Sequence, residues 1–65
     1  MEKRSVLKDF REKQKLTQLE MAEKLEISLV QYQFVELGRR NPSIKLLKRF
    51  KNIFPTANIE KIFLD

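Results

Sequence analysis

Residues 17–36 read TQLEMAEKLEISLVQYQFVE. Thr17 stands three residues before Glu20, and Ser28 three before Gln31. Each pair is a capping box: the hydroxyl accepts from the backbone amide three residues on, and the acidic or amide side chain there reaches back to the cap's own amide. The stretch therefore holds two short helices joined by a tight turn. Starts eleven residues apart leave room for about two turns of each helix. Helices this short do not stand alone in water, so the rest of the chain must pack around them.

The 65 residues are enough for one domain, 1–65, with a small core and marginal stability. Cysteine and histidine are both absent, which removes disulfides, thiolate metal sites and the commonest general base. Nine scattered carboxylates and a few hydroxyls, without a glycine-rich phosphate loop, make no catalytic constellation. The chain is read as not an enzyme, with no cofactor and no metal. No apolar run reaches membrane-spanning length and MEKRSVLKDF contains no signal-peptide core, so a cytoplasmic protein without a membrane partner is expected. The net charge of +5 favours a polyanionic partner.

With one glycine, two prolines and little strict alternation, the expected fold is all-α with short loops. A first helix is placed from about Ser5, a candidate cap, to Gln14, with Val6, Leu7 and Phe10 on one stripe. The chain must turn at Lys15, which places a lysine at φ > 0 where glycine is cheapest. The second helix, about Gln18–Leu25, turns Leu19, Ala22 and Leu25 inward, with Met21 at the margin. Ile27, just before the Ser28 cap, is the natural staple residue. The third helix runs to about Glu36, and Gly38, the single glycine, follows as its left-handed stop. Then comes a basic loop, Arg39-Arg40-Asn41-Pro42, and Ser43 caps a fourth helix reaching about Phe54. Its inward residues are read as Ile44, Leu47, Phe50 and Phe54, and its outward ones as Lys45, Lys48, Arg49 and Lys51, a solvated face. Leu46 and Ile53 fall off that stripe as candidates for an interface. Thr56 or Asn58 opens a last short helix, where Ile59, Ile62, Phe63 and Leu64 either cover the core or form a dimer seam.

Arg11, Thr17-Gln18, Ala22, Ile27-Ser28, Glu36-x-Gly38 and Asn41-Pro42-Ser43, in this order, resemble the lambda-repressor/Cro-like helix-turn-helix domains of the xenobiotic-response-element type. The resemblance covers about residues 5–64. It implies a five-helix DNA-binding domain whose second helix crosses the backbone of double-stranded DNA while the third lies in the major groove. It further implies phosphate contacts from Thr17, Gln18, Arg39, Arg40 and Asn41, and a largely buried ion pair between Arg11 and Glu36. Lys15 and Glu26 depart from it, standing where glycine is usual.

A wheel of the third helix places Leu29, Val30, Gln33 and Phe34 in one arc of about 140°. The resemblance turns Tyr32 and Val35 to the core and leaves Ser28, Leu29, Val30, Gln33 and Phe34 facing the bases. Three of the four helical residues in that arc are apolar. Three readings of them stay open. Leu29, Val30 and Phe34 pack on thymine methyls while Gln33 bonds a base, adenine being its best bidentate match. Alternatively, the helix is rotated and Phe34 is core. In the third, the apolar face binds a protein, making the chain an antirepressor- or antitoxin-like interaction module. The favoured expectation is a sequence-specific DNA-binding transcription regulator, a repressor acting as a homodimer.

Overall fold

Every internal helix start marked in the sequence is a helix start in the computed structural model, which describes residues 6–64. The helices are α1 (Val6–Lys13), α2 (Gln18–Leu25), α3 (Leu29–Glu36), α4 (Ile44–Ile53) and a short, wide-turned π-helical segment, α5 (Glu60–Leu64). No strand occurs among the described residues. Ser5, read as the cap of α1, and the side chain of Leu64 lie outside what is described.

Both capping boxes close in both directions. Glu20 N donates to Thr17 Oγ1 at 3.1 Å and Thr17 N to Glu20 Oε1 at 2.8 Å. Gln31 N donates to Ser28 Oγ, and Ser28 N to Gln31 Oε1, each at 3.1 Å. The first box also holds the Glu20 carboxyl below its ordinary pKa, through the backbone amide and then the hydroxyl of Thr17. Ser43 accepts from Leu46 N at 3.1 Å. Asn58, rather than Thr56, opens the last segment by accepting from Lys61 N at 3.1 Å.

The first three helices end alike. Lys15, Glu26 and Gly38 have φ of 59°, 58° and 76°. The amide after each reaches back five residues: Leu16 N to Arg11 O, Ile27 N to Ala22 O and Arg39 N to Phe34 O. These are Schellman ends, which satisfy carbonyls the helix leaves open. Glycine occupies only the third, so the first two hold non-glycine residues in the left-handed region at about 1 kcal/mol each.

Leu7, Met21, Ala22, Leu25, Tyr32, Leu46, Phe50 and Ala57 form the buried core. Phe50 is its hub, with ring centroids of Phe10, Phe54 and Phe63 at 5.4, 5.0 and 5.0 Å. Here the inward faces read from periodicity need correction. Leu19 is 52% exposed while Met21 is fully buried, so α2 turns the marginal residue in and the expected one out. In α4 the core stripe is Leu46, Phe50 and Ile53, and Ile44 is 73% exposed. Apolar residues wrap so far around α4 that two stripes fit the same spacing, and only packing against α2 selects one.

Arg49, expected outward, is only partly exposed. Its NH1 donates to Leu25 O at 3.2 Å and its Nε lies 3.5 Å from Glu26 Oε2, so α4 places a cation on the negative end of α2. The C-terminal segment packs on α1, with Ile59, Ile62 and Phe63 partly buried against the core. Lys51 Nζ donates to Ala57 O at 3.2 Å and ties down the preceding turn.

The left-handed lysine yields a direct test. Lys15→Gly removes strain at an exposed site and is expected to raise stability by up to about 1 kcal/mol, whereas Lys15→Val lowers it. Urea midpoints of the two variants check the order; a less stable glycine variant contradicts it.

Candidate nucleic-acid interface

Of the sequence-predicted residues, Arg11, Thr17, Gln18, Leu29 and Glu36 line one shallow groove, whose floor is a buried carboxylate. Glu36 lies in the last turn of α3, where the helix's own dipole disfavours a negative charge. Four donors from three helices converge on it. Arg11 of α1 gives Nε to Oε2 at 2.9 Å and NH2 to Oε1 at 3.4 Å. Tyr32 of α3 donates its hydroxyl to Oε2 at 2.6 Å, and Gln18 of α2 donates Nε2 to Oε1 at 3.0 Å. Arg11 NH1 also bonds Leu16 O at 2.7 Å, closing the turn after α1.

The side chains of Arg11 and Glu36 are 10% and 6% exposed, so the expected buried ion pair is present. Burial pushes the Glu36 carboxyl up, but hydrogen bonds from Arg11, Tyr32 and Gln18, with the Arg11 charge, outweigh it and hold the group below its ordinary pKa. The bond to Glu36 likewise raises Arg11 against desolvation. Burial first, and then the bond to Glu36, pushes the Tyr32 phenol far up.

This anchorage sets the rotation of α3. Tyr32 and Glu36 are buried and Val35 packs on the core, as the resemblance implies. Phe34 is 38% and Val30 58% exposed, so the reading that rotates Phe34 into the core is excluded. Leu29 and Gln33 are half-buried on the same side. Ser28 is exposed; its oxygen accepts from Gln31 N, leaving its O–H to donate.

Gln18, expected at a phosphate, has its carboxamide turned inward. Besides donating to Glu36, it accepts at Oε1 from Gln33 Nε2 at 3.1 Å. Its backbone N–H, in the first turn of α2, has no carbonyl within the helix to reach. Thr17 beside it is exposed but committed to its capping box. Arg39, Arg40 and Asn41 are exposed on the loop leaving α3, and no carboxylate among the described residues pairs with either arginine.

Sequence reasoning missed two residues of this surface. Leu37, 68% exposed just past α3, and Leu19 wall a shallow groove over the ion pair together with Leu29, Gln18 and Lys8. Leu37 sits eight residues after Leu29, two turns along the same face, a spacing visible in the sequence had α3 been read one residue further. The Tyr32 hydroxyl was also missed, although it stands four residues before Glu36, the spacing of helical neighbours. No cluster of metal-binding side chains occurs among the described residues, and no helix there is long and apolar enough to cross a membrane.

Removing one partner of the buried pair leaves the other's charge uncompensated. Arg11→Ala is expected to lower the unfolding free energy by about 3–5 kcal/mol, and a loss below about 1 kcal/mol in denaturant titration contradicts that role. The pH sign follows from the lowered Glu36 pKa. Unfolded Glu36 takes up its proton near the ordinary 4.5, before the folded form does, so its stabilisation is complete above that pH. It is lost as pH falls through the folded-state value. Urea midpoints should drop below about pH 4.5, and Glu36→Gln should be weaker at pH 7 but less sensitive to acid.

A helix-turn-helix family model matches residues 7–56, taking in nearly all of α1 and the whole of α2 to α4. Two relatives from Archaeoglobus fulgidus, each named an uncharacterized HTH-type transcriptional regulator, are similar along almost the full chain. One is 38% identical over 61 residues, covering 94% of this chain and 84% of its own length. The other is 34% identical over 61 residues, covering 94% and 86%. No solved structure matches the chain significantly. With its capped helix pair, its buried Arg11–Glu36 anchor and this match, the chain belongs to the helix-turn-helix family, in its lambda-repressor/Cro-like form.

Proposed function

We propose that the chain is a cytoplasmic, sequence-specific DNA-binding transcription regulator that lays α3 in the major groove and represses by occupying a promoter. It belongs to a non-enzymatic family of DNA-binding regulators. The observation that carries the reading is the orientation of α3: Tyr32 and Glu36 hold one side inward, and the opposite side stands open beside Arg39 and Arg40. An α-helix of this size fits the major groove. Ser28 and Gln33 supply polar contacts to base edges, and Leu29, Val30 and Phe34 supply apolar contact to thymine methyls.

Phosphates meet the basic loop at Arg39, Arg40 and Asn41. At the start of α2 they meet the open backbone amides next to Thr17 and Gln18, where the helix dipole adds attraction. These contacts give most of the affinity and make it salt-dependent. One small domain makes few base contacts, so we propose a homodimer spanning two half-sites about one DNA turn apart. Ile59, Ile62 and Phe63, only partly covered by the chain's own core, are the proposed seam.

The exposure of Val30, Phe34 and Leu37 favours one second reading, a protein-interaction module of antirepressor or antitoxin type. Unbiased DNA selection separates the two. A palindromic motif supports the regulator, with Gln33→Ala losing preference at one position per half-site. Flat enrichment, with Phe34→Ala abolishing capture of a protein partner, supports the module. On selected DNA, Arg39→Gln with Arg40→Gln should flatten the slope of log K against log salt by about one unit for each phosphate left unneutralised; an unchanged slope removes the loop from the interface. Light scattering that finds only monomer, even with DNA, rejects the dimer.

A further inference from the structure

The outward side of α3 carries an apolar stripe. Val30, Phe34 and Leu37 stand at i, i+4 and i+7, the spacing of one helix face, and all three are exposed. No charge interrupts them, because Glu36, the charged residue of LVQYQFVE, is turned inward. A stripe of this kind fits a second copy of itself, since a two-fold contact sets the same patch on both sides. The charges at its two ends decide the direction. Past the C-terminal end stand Arg39 and Arg40, exposed and without a carboxylate partner among the described residues. Before the N-terminal end stand Glu23 and Glu26, also exposed, where α2 presents its negative end. Glu26 already lies 3.5 Å from Arg49, so Glu23 is the freer of the two. Two copies of α3 laid antiparallel bring the arginines of each to the glutamates of the other. Laid parallel, they set arginine against arginine.

We propose that this stripe is a self-association surface: two copies pack α3 against α3, antiparallel, and cover Val30, Phe34 and Leu37 when no DNA lies on them. The contact goes beyond the DNA-reading function, and only the competition between the two rests on it. Its size sets its strength. A specific interface takes about a tenth of a small protein's surface. A tenth of the 5113 Å² here is about 500 Å² on each copy, short of the roughly 800 Å² of a standard complex. The pair is therefore weak, with a dissociation constant on the order of 100 μM. Arg39 and Arg40 meet either phosphates or the partner's Glu23 and Glu26, and a helix lying on its copy is closed to the major groove. DNA, with its many phosphates, displaces so small a contact. The C-terminal seam proposed above lies elsewhere and is compatible with bound DNA.

Disulfide trapping of the full chain, which has no cysteine of its own, tests this without DNA. In the antiparallel pair, position 34 lies beside the two-fold axis, midway between 30 and 37. Phe34→Cys should therefore link to its own copy under mild oxidation at about 100 μM protein. Two copies of position 30, or of position 37, stand about 10 Å apart along the helices, beyond disulfide reach. Val30→Cys and Leu37→Cys should each stay unlinked alone and link to each other when mixed. Self-links at 30 and 37 without a mixed product, or no link at any of the three positions, overturn the proposal. A second measurement needs no cysteine. Sedimentation equilibrium should show wild-type self-association weakened by about tenfold or more in Val30→Lys, whose urea midpoint stays near wild type at this exposed site. Equal association of the two places the contact elsewhere and sinks the idea. Saturating duplex carrying the selected motif should abolish the mixed link, and a link that persists on bound DNA removes the competition. Flat enrichment in DNA selection together with a mixed link rejects DNA reading and keeps the self-contact; a recovered motif without the link does the reverse.

Discussion

One carboxylate, that of Glu36, fixes how the first three helices stand to one another. Taken alone it is badly placed: buried, at the negative end of α3, and largely shielded from water. It is tolerated because Arg11 supplies a positive charge from α1, while Tyr32 and Gln18 each donate a further hydrogen bond. Among the described residues no buried side-chain polar atom is left without a partner. Such an arrangement adds little net stability over an apolar core of the same shape, since desolvation offsets most of the attraction. Its effect here is geometric. Helices of eight residues with a small core have several ways to pack, and directional bonds to one point select a single arrangement.

That selection is what exposes α3. Once Tyr32 and Glu36 are turned inward, Val30, Phe34 and Leu37 must face out, although their chemistry favours burial. An isolated amphipathic helix would bury Phe34 and leave Glu36 in water. The anchor imposes the reverse, leaving Val30, Phe34 and Leu37 on an exposed apolar face. Structure and proposed function thus meet in one network, from Arg11 through Glu36 and Gln18 to Gln33.

The helix ends show the same division between local chemistry and assembly. Thr17, Ser28 and Ser43 begin helices through bonds spanning three residues, so nothing distant is needed to predict them. The left-handed stops at Lys15, Glu26 and Gly38 are local in geometry, and the first two are strained residues accepted because the following amides reach back to Arg11 O and Ala22 O. By contrast, the second tie on the end of α2 comes from Arg49, twenty-four residues beyond the carbonyl it binds. A lysine-and-arginine-rich helix face gives no local sign of that.

The order of the helices and the caps at Thr17, Ser28 and Ser43 were legible in the residues alone, because capping and turn chemistry act within about five residues. The Arg11–Glu36 pair and the exposure of Val30 and Phe34 were legible too, through the resemblance their order carries. Packing was needed to choose which of two apolar stripes α4 buries, to turn Leu19 and Ile44 out while Met21 and Leu46 face in, and to lay the C-terminal Ile59, Ile62 and Phe63 against the chain's own core. Packing also turned the Gln18 carboxamide inward to join Glu36 to Gln33. The reason is physical. Periodicity records which residues share a face but not which neighbour that face meets, and a hydrogen bond between side chains fifteen or eighteen positions apart exists only once the helices have packed.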